Sequence, residues 1–350
     1  MRSVSIIKAI LAIFLMLVAI TGPLSCTRMG LLEPVIDQTT EPTPTQTTEL
    51  VPEPEPPPSL DELIPPGIRV DNSMTIQMLS GGETLDLPME LYLIGVVSAE
   101  MPASFELEAL KAQVVAARTN ALYNEHVKPK SNHPDVPVCA DFACCMAYSN
   151  DERLRERWGD DYVKNIAGII TAVTETDGIY MSYDGEPIFA AFHSSSAGKT
   201  ETSGNVWVTD LPYLQSVDSP ETSEYVPDFI FSTTIPRTRF VETINDTYPD
   251  VVLGDDEMSW ITDITYTDSG RVSELTIGGQ QIMGTALRSM FSLRSTSLTF
   301  EWVDDGIVIT TTGFGHGVGL SQYGANVMAA NGKDYTEILL TYYTGITLDN

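Results

Sequence analysis

Val96–Leu122 reads VVSAEMPASFELEALKAQVVAARTNAL, and the rest of the chain is organised around it. Leu107, Leu110, Val114, Ala117 and Ala121 recur at three- and four-residue spacing, which predicts an amphipathic helix with one apolar stripe. Glu106 and Glu108 fall in its first turn, where the helix dipole favours negative charge. Pro102 keeps Met101 out of the α region, so Glu100 is expected to lie ahead of that helix. Leu91 to Val97 is an apolar run suited to a buried strand or a helical turn. A lone glutamate between such a run and a packed helix can be partly desolvated. Desolvation raises a carboxyl pKa and suits it to general acid work, although most acids at element boundaries are solvated caps.

The chain has 350 residues, 48 acids against 19 bases and a formal charge of −29, which argues against nucleic acid and anionic membrane surfaces as partners. At 43% hydrophobic it can build a real core. Arg2 and Lys8 precede an uncharged stretch from Ala9 to Cys26, long enough to span a bilayer and to place the remainder of the chain outside the cytoplasm. Residues 1–26 are thus a membrane anchor, or a signal cut before Cys26 to leave a lipid-modified cysteine. Residues 27–66, with EPTPTQTTELVPEPEPPP at their centre, are rich in Pro, Thr and Glu and read as a disordered tether. Residues 67–350 are the folded part. It is expected as a single large extracytoplasmic domain of mixed α/β (α+β) class, with helices packed around short, largely antiparallel strands.

His133, Cys139, Cys144 and Cys145 fall within thirteen positions. One imidazole and three thiolates would complete a tetrahedral zinc shell that leaves no open position for a reacting water. A Cys139–Cys144 or Cys139–Cys145 disulfide with one free thiol, or simple buried thiols, are the alternatives. Further on, Tyr162–Thr176 is expected to be helical with Gly178 after it. Ile179–Tyr183 and Pro187–His193 read as strands joined at Asp184-Gly185. The loop FHSSSAGKTETSGNVW holds His193 and Ser195 and ends near Trp207. Its Gly198-Lys199-Thr200 lacks the upstream glycine of a phosphate loop, so nucleotide binding is rejected. Hydroxyls beside an aromatic ring suit carbohydrate; a plain surface loop reads the same way.

Ser273–Ile277 and Trp302–Thr311 carry strand signals, and Leu287–Leu293 a short helix. In GFGHGVGLSQYGANVMAANG, Gly313, Gly315, Gly317 and Gly319 alternate with Phe314, His316 and Val318. That spacing lets backbone approach a ligand and is expected to leave His316 projecting from a thin loop. A helix from Leu320 to Asn331 should come next. Asp334 and Glu337 then form a capping-box pattern for a last helix.

VVSAEMP, EALKAQVVAARTNAL, the hydroxyl-rich loop and GFGHGVGLSQYGA together resemble the stage II sporulation protein D family, in order and over most of 67–350. The resemblance implies a membrane-anchored lytic transglycosylase that cuts peptidoglycan between N-acetylmuramic acid and N-acetylglucosamine during engulfment in sporulation. Some relatives instead activate an amidase without catalysis. It puts the catalytic glutamate at Glu100. It also implies a zinc site at His133, Cys139, Cys144 and Cys145, with Cys144 where the family has histidine. In such an enzyme the substrate's C6 hydroxyl is the nucleophile, so one carboxylate suffices where ordinary glycosidases need two. Lys111 and Arg118, seven apart on one helix face, are candidates for orienting the glycan or for a salt bridge. His193, Ser195, His316, Gln322 and Tyr323 are the candidate sugar contacts. The implied partner is the sporulation amidase, stage II sporulation protein P, which strips stem peptides first, within a membrane engulfment complex.

Overall fold

The computed structural model describes residues 74–350, and Leu63 ahead of them. The anchor, the tether and Cys26 lie outside the described residues. Among those residues, no helix is long and apolar enough to cross a membrane.

β1 (Thr75–Ser80) and β2 (Glu83–Pro88) form an antiparallel hairpin closed by Gly81-Gly82, both at positive φ, as a right-twisted two-residue turn requires. Helix α1 (Met89–Glu100) follows directly, and α2 (Leu107–Leu122) after a short loop. The run Leu91–Val97 is therefore neither a strand nor a single turn; its flanks extend it into a helix of 12 residues. The single apolar stripe expected for α2 is also corrected, because every residue from Ala109 to Leu122 is buried. Five alanines make it slim enough to be surrounded on all sides. It packs against α1 and later elements, so it is the axle of the structure.

Strand β3 (Val138–Cys139) runs parallel to β1, with Cys139 paired to Leu79. Helices α3 (Asp151–Trp158) and α4 (Tyr162–Glu175) come next, and Gly178 turns the chain at φ +71°. β4 (Tyr180–Tyr183) and β5 (Glu186–Pro187) form a hairpin through Asp184-Gly185. The second expected strand breaks up, leaving only β5 and β6 (Phe192–His193).

Residues 230–309 carry a core of their own around Phe240, Trp260 and Trp302. It is built from β7 (Ile230–Pro236), α5 (Arg237–Thr247), β8 (Ile261–Tyr266), β9 (Val272–Ile277), β10 (Gln280–Met283), α6 (Gly284–Met290), β11 (Leu298–Val303) and β12 (Gly306–Thr312). Trp302–Thr311 is not one strand, since the turn at Asp304-Asp305 splits it between β11 and β12. β13 (Leu320–Ser321) then runs parallel to β6. α7 (Gln322–Ala330) is capped by the Ser321 side chain, and α8 (Tyr335–Tyr342) by the full Asp334/Glu337 capping box. β14 (Thr347–Asp349) closes against β4. The class is mixed α/β with small, mostly antiparallel sheets, as expected; β1–β3 and β6–β13 are the parallel pairs.

Candidate active site and metal centre

Glu100 lies ahead of α2, as expected, and is the last residue of α1. Pro102 still sets the boundary: Met101 is extended, at φ −128° and ψ 140°, and the helix stops before it. The half-buried carboxyl accepts a hydrogen bond from the Ala147 N–H at 2.6 Å. Burial pushes its pKa up, and the Ala147 bond offsets part of that rise. The negative end of the α1 dipole also disfavours the carboxylate. Among the described residues, no second carboxylate is one of the groups that bias its proton. Such a group holds a proton to higher pH than an ordinary glutamate and can deliver it to a leaving oxygen.

Ala147 is held in place by its neighbours. Ser149 donates to the Gly95 carbonyl at 3.1 Å, and Tyr148 stacks on Tyr92 with 6.3 Å between ring centres. A Cβ on Gly95 would stand 2.3 Å from the Tyr148 ring, so only glycine lets this segment lie so close on α1.

Two residues before Ala147 the His133–Cys145 cluster ends. The ligand atoms of His133, Cys139, Cys144 and Cys145 all lie within 4.8 Å of one another. His133 Nε2 is 3.3 Å from Cys144 Sγ and 3.5 Å from Cys145 Sγ, and the two sulfurs are 3.9 Å apart. One nitrogen and three sulfurs at zinc bond lengths on a tetrahedron are separated by about 3.5–3.8 Å. A disulfide needs about 2 Å between sulfurs, and all three cysteines are free. His133 Nδ1 faces the Val136 carbonyl at 2.6 Å, which fixes the tautomer that offers Nε2 to a metal. The amides of Cys144 and Cys145 both bond to the Asp141 carbonyl, which makes the sharp turn that lets adjacent cysteines converge. Without a metal, burial pushes the Cys145 thiol up to about 12, a cost that a cation would remove. The cluster can hold a metal such as zinc.

The loop after Glu100 packs on α7, the helix that follows the glycine loop. Phe105 meets Tyr323 edge-on at 5.0 Å, and Glu106 donates its N–H to Asn326. Tyr323 in turn donates its N–H to the Ser194 carbonyl, and Gln322 bonds to Gln113 of α2. His316 does not project. Its ring folds back 5.0 Å from Trp207 and 5.7 Å from His193, and burial beside Arg288 lowers its pKa to about 4. All four loop glycines have positive φ, and a Cβ on Gly315 would strike His193 at 2.7 Å. The alternation serves close packing on the protein itself.

His193 is sealed. Nδ1 lies 3.2 Å from the Val318 carbonyl and Nε2 2.6 Å from Ser196 Oγ. Ser196 is fully buried, so this pair is scaffold and not a nucleophile with its base. Ser195 is buried and exchanges backbone bonds with Phe314. Lys111 bridges Glu108 and Glu175, both at 2.6 Å, and Arg118 is buried with its guanidinium on the Thr176 and Ile179 carbonyls. These two bind elements together, and Arg118 has no face turned to solvent.

Sequence reading missed several groups. Glu221 is buried among donors from Ser196, Ser219 and Ser321, and Glu201 accepts from Thr202, Asn205, Thr267 and Ser269. Arg271 reaches the Lys199 carbonyl. Their partners are up to 100 residues away, so no local pattern marks them. Ala147 acts through a backbone N–H, which has no sequence signature.

A family model described as "SpoIID: Stage II sporulation protein" matches residues 82–183, which contain Glu100, Ala147 and the metal cluster. The chain is 36% identical to the stage II sporulation protein D of Bacillus amyloliquefaciens over 79% of its length and 78% of that protein's. It is 37% identical to that of Bacillus subtilis, over 74% of each. It is also 29% identical to a protein of Bacillus subtilis named amidase enhancer, over 73% of this chain and 40% of that one.

Proposed function

The chain belongs to the stage II sporulation protein D family of sporulation proteins, and on that premise we propose that it is a lytic transglycosylase acting on peptide-stripped peptidoglycan. The observation that carries this reading is Glu100, a half-buried carboxyl whose proton is favoured by burial and is biased by no second carboxylate among the described residues. Glu100 protonates the glycosidic oxygen between N-acetylmuramic acid and N-acetylglucosamine as the C1–O bond breaks. The C6 hydroxyl of the muramic acid closes on C1, and its proton returns to the Glu100 carboxylate. The products are a 1,6-anhydro end and a new free chain end, and no second carboxylate is needed.

Zinc at His133, Cys139, Cys144 and Cys145 would be structural, because four protein ligands fill its shell. Bound there, it supplies folding energy to the segment that presents Ala147 to Glu100. The N-terminal segment anchors the protein, by a span or by a lipid on Cys26, with the catalytic part outside the cytoplasm. It works with the sporulation amidase that removes stem peptides first.

The resemblance to an amidase enhancer favours a second reading, a wall-binding activator without catalysis. Incubation with amidase-stripped glycan strands separates the two. Anhydro-ended fragments seen by mass spectrometry are expected; stimulation of an amidase without any glycosidic cleavage would select the activator.

A further inference from the structure

Arginines in this strongly acidic chain are mostly committed: Arg294 to Asp228, Arg237 to Glu257, Arg155 to Asp151 and Arg118 to backbone carbonyls. Arg288, in the last turn of α6, is without an ion pair among the described residues, as the exposed Arg153 and Arg239 are, but it is half-buried. Its Nε donates to the Arg294 carbonyl at 3.2 Å, and the same carbonyl accepts the Gly315 N–H at 2.9 Å. That shared acceptor pins the guanidinium against the glycine loop, one residue before His316. Neither terminal nitrogen has an acceptor among the described residues. Neither is sealed from solvent in the way that Nε of Arg271 and Oγ of Ser195 are. No carboxylate comes within ion-pair distance of Arg288 among those residues. The groups beside it are the imidazoles of His316 and His193, which burial keeps neutral.

A half-buried guanidinium with a free two-nitrogen edge is a carboxylate receptor. Muramic acid carries a lactyl group that is a neutral amide while the stem peptide is attached. Once the peptide is removed it is a free carboxylate, and it recurs at every second sugar; N-acetylglucosamine has none. We propose that Arg288 is a specificity-determining residue that binds the free lactyl carboxylate of stripped muramic acid at the glycine loop. This rests on the transglycosylase reading. The contact would set the register of the strand, so that one of the two alternating glycosidic bonds is offered to Glu100. It would also make stripping a requirement written into the site. General repulsion by the chain's net charge of −29 makes the opposite prediction, because it would favour strands with fewer carboxylates.

The test uses the full-length protein and amidase-stripped glycan strands, either untreated or with their lactyl carboxyls coupled to methylamine as neutral amides. The formation of anhydro ends gives kcat/KM on each. The natural protein should prefer the free acid by about tenfold or more, the size of one charge-assisted hydrogen bond. In Arg288→Gln the ratio should fall to about one, and Arg288→Lys should keep part of it, with thermal unfolding confirming that both fold. Equal or faster cleavage of the amidated strands by the natural protein, or an undiminished preference in Arg288→Gln, would overturn the assignment. Cleavage of neither substrate would overturn the enzymatic reading and this one with it; cleavage without preference would overturn this one alone.

Discussion

The Ala147 N–H lies 2.6 Å from Glu100 Oε1, and Ala147 is two residues beyond Cys145. The His133–Cys145 cluster and the candidate acid are therefore parts of one construction. The turn that gathers the thiols continues into the strip of backbone that grips the carboxyl.

Glu100→Gln keeps the shape and removes the proton donor. Cleavage of stripped glycan should fall by several orders of magnitude while binding persists. Burial raises the folded pKa above the unfolded value of about 4.3, so ionisation costs stability as pH rises from there through the raised value. The glutamine variant escapes that cost. Its melting temperature should match the natural protein at low pH and exceed it at neutral pH. Near-normal turnover by this variant would remove Glu100 from the mechanism.

Gly95→Ala is expected to act at a distance. Its methyl would meet the Tyr148 ring at 2.3 Å and the Ser149 carbonyl at 2.9 Å, so the Cys145–Ser149 segment must lift from α1. Overpacking of this kind costs about 1–3 kcal/mol. With the Ala147 bond weakened, the influence that lowers the Glu100 pKa is lost. The basic limb of the pH–rate profile should therefore move to higher pH. Unchanged stability together with an unchanged profile would show that this segment does not set the proton on Glu100.

One zinc per chain is expected by elemental analysis of protein purified without chelator. Replacing Cys139 or Cys145 by Ser should lower thermal stability and reduce activity only through that loss. Structural zinc contributes on the order of 10 kcal/mol in small peptides. A mass two hydrogens light with no metal present would replace the zinc site by a disulfide.

The two histidines should make the fold acid-sensitive. His193 and His316 are held neutral, the latter at about 4, because burial disfavours their charge. Their folded pKa values lie below the unfolded value of about 6.5. The stability they contribute is complete above that value and lost as pH falls toward about 4. His316→Gln should flatten this part of the melting temperature–pH curve. The same slope in the variant as in the natural protein would mean that another group carries the acid limb.

Much of this was legible in the sequence because the signals are local. Pro102 kept Met101 extended and put Glu100 ahead of α2, Asp334 and Glu337 capped α8, and Asp184-Gly185 turned a hairpin, each through contacts within a few residues. The spacing of His133, Cys139, Cys144 and Cys145 likewise carried their convergence, since a short loop limits how far apart they can be. Tertiary structure decided the rest. That Leu91–Val97 became helical, that α2 is buried all round and that His316 turns inward depend on which elements surround them. The grip of Ala147 on Glu100 spans 47 positions and uses a backbone N–H that every residue but proline has. That Arg288 has no ion pair among the described residues depends on which acids fail to reach it, and composition cannot express that. Local periodicity and capping fix the elements; the state of a buried charge is fixed by what long-range packing brings within a few ångströms of it.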